Sequence, residues 1–225
     1  MTEKIHRNNT VSRRRTVDRK QYGRCFLRCL YPAHCALCDD LLGRKEKGLC
    51  AVCREQARIS EYTFPGGYAP FPYRGVYREA VRRFKYSGRV EYAAFFAEAI
   101  LRSGQAEGWR PDSMIPVPIH RKRFLERGYN QAEELARELS RMTGIPCETG
   151  LVVRQKDTRP QNGLDPAERK SNIHDAFALK KGKTVPKRVL LVDDIRTTGS
   201  TLREMERLLA GHGAVEVRAV CICLA

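Results

Sequence analysis

Two adjacent acids and a hydroxyl-rich turn follow an apolar run late in the sequence. The run Arg188–Val192 predicts a buried strand, Asp193 and Asp194 come next, and Thr-Thr-Gly-Ser-Thr occupies 197–201. Such a strand delivers its acids to the carboxyl edge of an α/β sheet, where these folds bind ligands. The turn then opens a helix, whose unpaired N–H groups and neighbouring hydroxyls suit a monophosphate.

Adjacent carboxylates suit the vicinal hydroxyls of a ribose, or a Mg²⁺ ion held by that ribose. The segment therefore predicts a sugar-phosphate site in which Asp193 and Asp194 are the candidate catalytic acids. The candidate ligand-binding residues of the turn are Thr197, Thr198, Gly199, Ser200 and Thr201. The alternative is a strand–turn–helix whose acids merely cap the helix, although a cap needs fewer polar groups. A Walker phosphate loop is excluded because the segment has no Gly-Lys-Ser/Thr.

Four cysteines form two Cys-x-x-Cys pairs separated by eleven residues, Cys35 with Cys38 and Cys50 with Cys53. Four thiolates in two such pairs can surround Zn²⁺ tetrahedrally, and a closed four-sulfur site is structural. A redox role would need one pair opening a helix in a thioredoxin-like unit, which two pairs this close make less favourable. His34 is a candidate substitute ligand.

The elements that must position these residues alternate between helix and strand. The expected helices span 77–86 and 91–103, then run from a cap at Asn130, with Glu133 in a capping box, to Gly144, and from Ser200 to Gly211. The expected strands are Met114–Pro118, Leu151–Val153, Arg188–Val192 and Ala214–Ala225. This alternation predicts the α/β class, with a parallel sheet and crossover helices.

The charge balance favours anionic partners. The chain has 225 residues and a net charge of +16, and +10 remains without residues 1–24. Residues 78, 82 and 85 share one face of the first helix, so a basic stripe beside Tyr86 is expected to bind single-stranded DNA. The alternative is a solvated helix face. No apolar run approaches 18 residues, so we expect no membrane insertion. With no signal peptide apparent, we expect a cytoplasmic protein with reduced cysteines.

Several segments together resemble the ComF family, which has a type I phosphoribosyltransferase fold and an N-terminal double Cys-x-x-Cys zinc element. The resemblance covers about residues 30–225. It is carried by Ile115–His120, Arg127–Ala132, the phosphate turn, and a segment 158–177 containing Gln161, Leu164, Arg169, Asn172 and Phe177. The organisation it implies is a disordered basic tail at 1–24, a zinc-binding element at 25–60 and a phosphoribosyltransferase-like domain at 61–225.

The resemblance implies that phosphoribosyl pyrophosphate (PRPP) binds with Mg²⁺, its ribose at Asp193 and Asp194 and its 5-phosphate at the turn 197–201. Three basic residues after Pro118 then occupy the place of the pyrophosphate loop, unless they form a solvated basic turn: Arg121, Lys122 and Arg123. Residues 155–172 match a mobile lid that would bring cations over the diphosphate: Arg159, Arg169 and Lys170.

Two functions remain open. The resemblance favours a PRPP-binding accessory factor in DNA uptake, acting in the cytoplasm on single-stranded DNA with a helicase and recombination mediators. The alternative is an active Mg²⁺-dependent phosphoribosyltransferase that transfers phosphoribose to an unknown base or amine. Because the sequence ends with the last expected strand, a hood for an acceptor is expected from the aromatic residues Tyr68, Phe71, Tyr73 and Tyr77.

Overall fold

Within the described residues, six strands form one sheet and two further strands form a hairpin-like pair. The computed structural model describes residues 32–104, 109–155 and 176–225. The strands are β1 (Tyr62–Phe64), β2 (Gly67–Ala69), β3 (Phe71–Pro72), β4 (Ser113–Pro116), β5 (Val152–Arg154), β6 (Phe177–Leu179), β7 (Arg188–Arg196) and β8 (Glu216–Leu224). The helices are α1 (Ala51–Gln56), α2 (Gly75–Tyr86), α3 (Tyr92–Ser103), α4 (Arg121–Arg127), α5 (Gln131–Thr143) and α6 (Ser200–Ala210).

The main sheet is mostly parallel, with the order β1-β2-β8-β7-β4. Strand β8 pairs in parallel with β7 on one side and with both β2 and β3 on the other. Strand β4 pairs in parallel with β7, and β1 adds an antiparallel edge to β2. Strands β5 and β6 pair antiparallel outside this sheet. The expected α/β class with a parallel sheet is confirmed.

Alternate residues of the central strands pack into two separate apolar clusters. Val220 and Ile222 contribute to the cluster that contains the buried faces of α2, α3 and α5. Ala219 and Cys221 contribute to the other cluster, which contains the buried face of α6. Side chains of a strand alternate between the two faces of its sheet, so helices cover both faces. Both faces of the long strands β7 and β8 are therefore shielded, which leaves their ends for polar groups.

Helix α5 is capped largely as the sequence predicted. The side chain of Asn130 accepts a hydrogen bond from the backbone N–H of Ala132 at 3.1 Å. Gly144 ends the helix in the left-handed conformation, with φ 74°. The capping-box prediction is wrong at Glu133, whose carboxylate accepts from Arg137 one turn later. An ion pair along the helix replaces the bond back to the cap.

The basic segment after Pro118 is a helix and not a turn. His120 precedes α4, and its Nδ1 accepts from the N–H of Lys122 at 3.3 Å. Gly128 ends the helix with φ 80°, and its N–H donates to Phe124 at 2.8 Å. This helix was not predictable from the sequence, because its seven residues are too few to show a periodic apolar face.

The residues from His34 to Ala225 form one compact unit. The expected basic tail at 1–24 and nearly all of the expected lid at 155–172 lie outside the described residues. Among the described residues, none of the helices has the length and apolar character that crossing a membrane requires.

Candidate functional site

The two acids lie inside β7, near its carboxyl end. Asp193 pairs with Cys221 of β8, whereas the neighbouring strand β4 ends at Pro116, opposite Val192. The acids therefore extend just past the end of β4, at the edge where parallel α/β sheets bind ligands. Both side chains are half-buried, and the Asp194 N–H donates to Asp193 Oδ1 at 2.8 Å.

Asp193 is held in an environment that opposes its ionisation. Burial raises the pKa of Asp193 to about 7, and repulsion from the Asp194 carboxylate acts in the same direction. The Asp194 N–H and the positive charges of Lys85 and Arg154 act against this rise. The pair therefore combines a carboxyl group that titrates near neutrality with a neighbour that is paired to a cation.

The turn after β7 contains a glycine in the left-handed conformation with a side chain packed close to it. Gly199 has φ 72°, and a Cβ added there would lie 2.9 Å from the Nε of Arg196. The hydroxyls of Thr198 and Ser200 lie 3.0 Å apart. Beneath the turn, the Arg196 guanidinium stacks over the Phe64 ring at 4.5 Å. Only glycine satisfies both the conformation and the spacing at position 199.

The three basic residues of the predicted diphosphate site begin α4, after the carboxyl end of β4. Arg121 and Lys122 are exposed, and Arg123 is half-buried. Because β4 and β7 are parallel neighbours, α4 starts at the same edge of the sheet as the acid pair. The structure therefore brings the expected ribose, phosphate and diphosphate residues to one edge.

Lys85 was expected on a DNA-binding stripe of the first helix. It lies instead at this edge of the sheet. The Lys85 ammonium lies 2.9 Å from Asp194 Oδ1, and the two side chains are 16% and 15% exposed. Arg78 and Arg82 of the expected stripe are exposed. Burial acts to lower the pKa of Lys85, but the charge of Asp194 and the hydrogen bond to it raise the pKa above its usual value. The sequence contains one signal for this position. Lys85 stands four residues after the buried Val81, so the two residues lie on the same face of α2.

The segment Arg127–Gln131 holds the last turn of α2, from which Lys85 projects. Its three contacts join the Tyr129 hydroxyl to the Phe84 carbonyl, Gln131 Nε2 to the Lys85 carbonyl at 3.4 Å, and Arg127 Nη2 to the Tyr86 hydroxyl at 3.2 Å. Arg127 also stacks over the Tyr86 ring at 4.8 Å. The last carbonyls of a helix have no partner within that helix. Side chains of the segment Arg127–Gln131 therefore provide hydrogen-bond partners for the last residues of α2.

The aromatic residues expected to form a hood are mostly packing residues. Phe71 is fully buried, and Tyr77 stacks on it with 4.3 Å between ring centroids. Tyr73 packs against the same cluster, and Tyr68 is half-buried. The exposed aromatic ring near the acid pair is that of Tyr86, which follows Lys85.

The four cysteines converge as the spacing predicted. All four Sγ atoms lie within 4.8 Å of one another, and those of Cys38 and Cys50 are 3.7 Å apart. Cys50 also caps α1, because its Sγ accepts from the N–H of Cys53 at 3.5 Å. His34 faces Asp39 instead of this group, with Nδ1 2.6 Å from the Asp39 carbonyl. The cluster is thus a candidate metal site with four sulfur ligands.

Burial and neighbouring N–H groups shift the pKa of thiols in this cluster. Burial raises the pKa of Cys53 to about 11, and burial likewise raises that of Cys38 above its usual value. For Cys35, burial acts upward but backbone N–H groups outweigh it and lower the pKa. Cysteines bind a metal as thiolates, and the positive charge of a bound cation would stabilise the negative charges of these closely spaced sulfurs.

Comparison with known proteins agrees with this architecture. Residues 125–225 match the family model of the phosphoribosyl transferase domain. Competence protein F of Haemophilus influenzae is 44% identical over 110 residues, which are 48% of each chain. DNA utilization protein YhgH of Escherichia coli is 27% identical over 221 residues, covering 85% of this chain and 97% of its own. Competence protein ComFC of Streptococcus pneumoniae is 27% identical over 198 residues, covering 82% and 84%.

The parallel sheet and the matched C-terminal segment define a protein of the phosphoribosyltransferase fold. Its similarity to the YhgH and ComFC proteins covers 85% and 82% of this chain. Together these similarities support assignment of the chain to the ComF family.

Proposed function

We propose that this protein binds PRPP or a closely related phosphoribosyl compound and serves as an accessory factor in DNA uptake in the cytoplasm. The observation that supports this most directly is the continuous path from Asp193 and Asp194 in β7 to the left-handed Gly199 and helix α6. One segment thereby offers carboxylates to a ribose and backbone N–H groups to its phosphate. The role in DNA uptake is supported by the names of the competence relatives.

Each part of the phosphoribosyl ligand has its own group of residues in the proposed site. The ribose hydroxyls donate to Asp193 and Asp194, and the 5-phosphate accepts from the turn 197–201. A diphosphate extends toward Arg121, Lys122 and Arg123, where a guanidinium can bind two oxygens at once. Mg²⁺ would accompany the diphosphate, because this ion prefers phosphate and carboxylate oxygens and retains several waters. It would neutralise part of the diphosphate charge.

Calorimetry with PRPP and Mg²⁺ tests this proposal. The double variant Asp193→Asn with Asp194→Asn should weaken PRPP binding by at least about tenfold, since each charge-assisted hydrogen bond contributes roughly 1.5–3 kcal/mol. Glu98→Gln is the matched control, because Glu98 is an exposed acid on α3. Equal PRPP affinity in the folded double variant and the control would refute the site. Pyrophosphate release in the presence of bases and amines would identify the transferase alternative.

We further propose that exposed cations of α2 contribute to weak, sequence-independent binding of single-stranded DNA. Arg78 and Arg82 are exposed, and the Tyr86 ring is 68% exposed at the end of the same helix. Phosphate contacts release counterions, so the affinity must fall steeply with salt. Arg78→Ala with Arg82→Ala should reduce the slope of log affinity against log salt by about one to two.

Fluorescence anisotropy with a labelled oligonucleotide at increasing salt measures this slope. Arg102→Ala with Arg141→Ala is the control, because these arginines are equally exposed on other helices. An identical slope for both double variants would place the DNA contacts elsewhere in the chain. We also propose that a helicase and recombination mediators are its protein partners in DNA uptake.

For the cysteine cluster we propose one structural Zn²⁺ ion bound by Cys35, Cys38, Cys50 and Cys53. Tetrahedral zinc with bonds of about 2.3 Å to sulfur separates its ligand atoms by about 3.8 Å. The distance of 3.7 Å between the Cys38 and Cys50 sulfurs agrees with this value. Elemental analysis of protein purified without chelator should find about one zinc ion per chain. A folded, metal-free protein would refute the proposal.

A further inference from the structure

Lys85 is the charged group at the sheet edge for which the proposed function gives no role. Its ammonium contacts Asp194 at 2.9 Å, and both side chains are largely shielded from solvent. Taking an ammonium out of water is strongly unfavourable unless a partner compensates. The Asp194 carboxylate is that partner, so the lysine and the acid form one unit and not two independent side chains.

This unit is held in place from the protein side. Gln131 is fully buried, with its Oε1 accepting from Arg127 at 2.9 Å and its Nε2 donating to the Lys85 carbonyl. Tyr129 bonds to the preceding carbonyl, that of Phe84. The backbone from which the ammonium projects is therefore fixed on both sides of the lysine. An incidental ion pair on a helix surface would need none of these contacts.

The charges at the edge explain what such a cation can do. Asp193 and Asp194 are adjacent, and an incoming phosphate adds further negative charge beside them. A lysine ammonium has three donors, of which the bond to Asp194 uses one. The others can be offered to a hydroxyl or a phosphate oxygen. A divalent cation that approaches the same Asp194 oxygen is repelled by the positive charge of the ammonium.

We propose that Lys85 is the resident cation of the acid pair and contacts the ribose of the phosphoribosyl ligand, so that these carboxylates accept the sugar without a divalent ion. This inference rests on the proposed phosphoribosyl site. Mg²⁺ then affects binding only through the diphosphate. A ligand with ribose and a single phosphate is bound equally well with and without Mg²⁺, whereas PRPP binds more tightly when Mg²⁺ is present.

Calorimetry of the full-length protein with ribose 5-phosphate and with PRPP, each in chelator and in excess Mg²⁺, tests this directly. The wild-type affinity for ribose 5-phosphate should change by less than about twofold on adding Mg²⁺. Lys85→Gln should bind ribose 5-phosphate at least about tenfold more weakly in chelator, because it loses a charge-assisted hydrogen bond. Mg²⁺ should restore part of that loss, since the variant leaves the Asp194 oxygen accessible to a cation.

Lys181→Gln is the matched control, because Lys181 is exposed in the turn that follows β6 and lies outside β7 and the acid pair. It should behave as the wild type does. Equal ribose 5-phosphate affinity for Lys85→Gln and Lys181→Gln in chelator would overturn the inference while leaving the phosphoribosyl site intact. A wild type that binds ribose 5-phosphate only with Mg²⁺ would also overturn it, whether or not Lys85→Gln folds. A wild type that binds neither ligand would overturn both the inference and the proposed function.

Discussion

The hydroxyl of Tyr129 is a single group whose removal tests how the end of α2 is held. Tyr129 is 9% exposed, and its hydroxyl donates to the buried carbonyl of Phe84. Tyr129→Phe keeps the ring, which packs 6.1 Å from the Phe84 ring centroid, and leaves that carbonyl without its partner. An unsatisfied buried acceptor costs about 1–3 kcal/mol. For a chain of 225 residues, each kcal/mol lowers Tm by about 2–4 °C.

Urea unfolding with an unchanged m-value measures this loss as a shift in midpoint. Tyr86→Phe is the matched control: it removes a hydroxyl that accepts from Arg127, on a ring that is 68% exposed. The control should stay within about 0.5 kcal/mol of the wild type. Tyr129→Phe should also weaken ribose 5-phosphate binding, because Lys85 directly follows Phe84. Equal unfolding free energies for the two variants would show that the motif does not hold α2 through this hydroxyl.

Three further changes have defined outcomes. Gly199→Ala adds a Cβ 2.9 Å from a guanidinium at φ 72° and should reduce ribose 5-phosphate affinity in calorimetry, whereas Gly144→Ala has the same strain of about 1–2 kcal/mol without described atoms within 4 Å and should leave it unchanged. Because the pKa of Asp193 is raised, the folded state binds more protons than the unfolded state between about pH 4 and 7, and the free energy of unfolding falls as the pH rises through this range. Asp193→Asn should remove a slope of up to about 1.4 kcal/mol per pH unit, measured by urea unfolding at several pH values. An unchanged slope would contradict the assignment. Cys38→Ser should lower zinc content by elemental analysis, whereas Cys147→Ser, outside the cluster, should not.

Long elements with regular patterns were predictable from the sequence. Helices α2, α3, α5 and α6 have apolar positions at helical spacing, and the structure places their ends within two residues of the expected ones. The run Arg188–Val192 predicted the central strand because a strand covered on both faces is apolar at successive positions. The strand continues through the acids to Arg196, since hydrogen bonds from β8 extend it beyond the apolar run.

Short elements and contacts between distant segments were not predictable. Strands β2 and β3 have three and two residues, and both pair with β8, which lies about 150 residues further along the chain. The pairing of Lys85 with Asp194 depends on how α2 docks against the sheet, which no local pattern encodes. The cysteine cluster, in contrast, was predictable from the sequence spacing, because four thiols in two closely spaced pairs can surround a common centre in few ways.

Helix α2 touches both the cysteine cluster and the acid pair. Arg83 donates from Nη2 to the Leu37 carbonyl, between the first two cysteines, at 2.5 Å, and Lys85 stands two residues further along. A metal ion that orders the cysteine loop thereby also restrains the helix that presents the ammonium. Affinities at two sites that bias the same element are linked by one free energy, and the linkage is reciprocal. If both proposed ligands bind, occupancy of the phosphoribosyl site is expected to strengthen metal retention by the same factor by which the metal strengthens ligand binding.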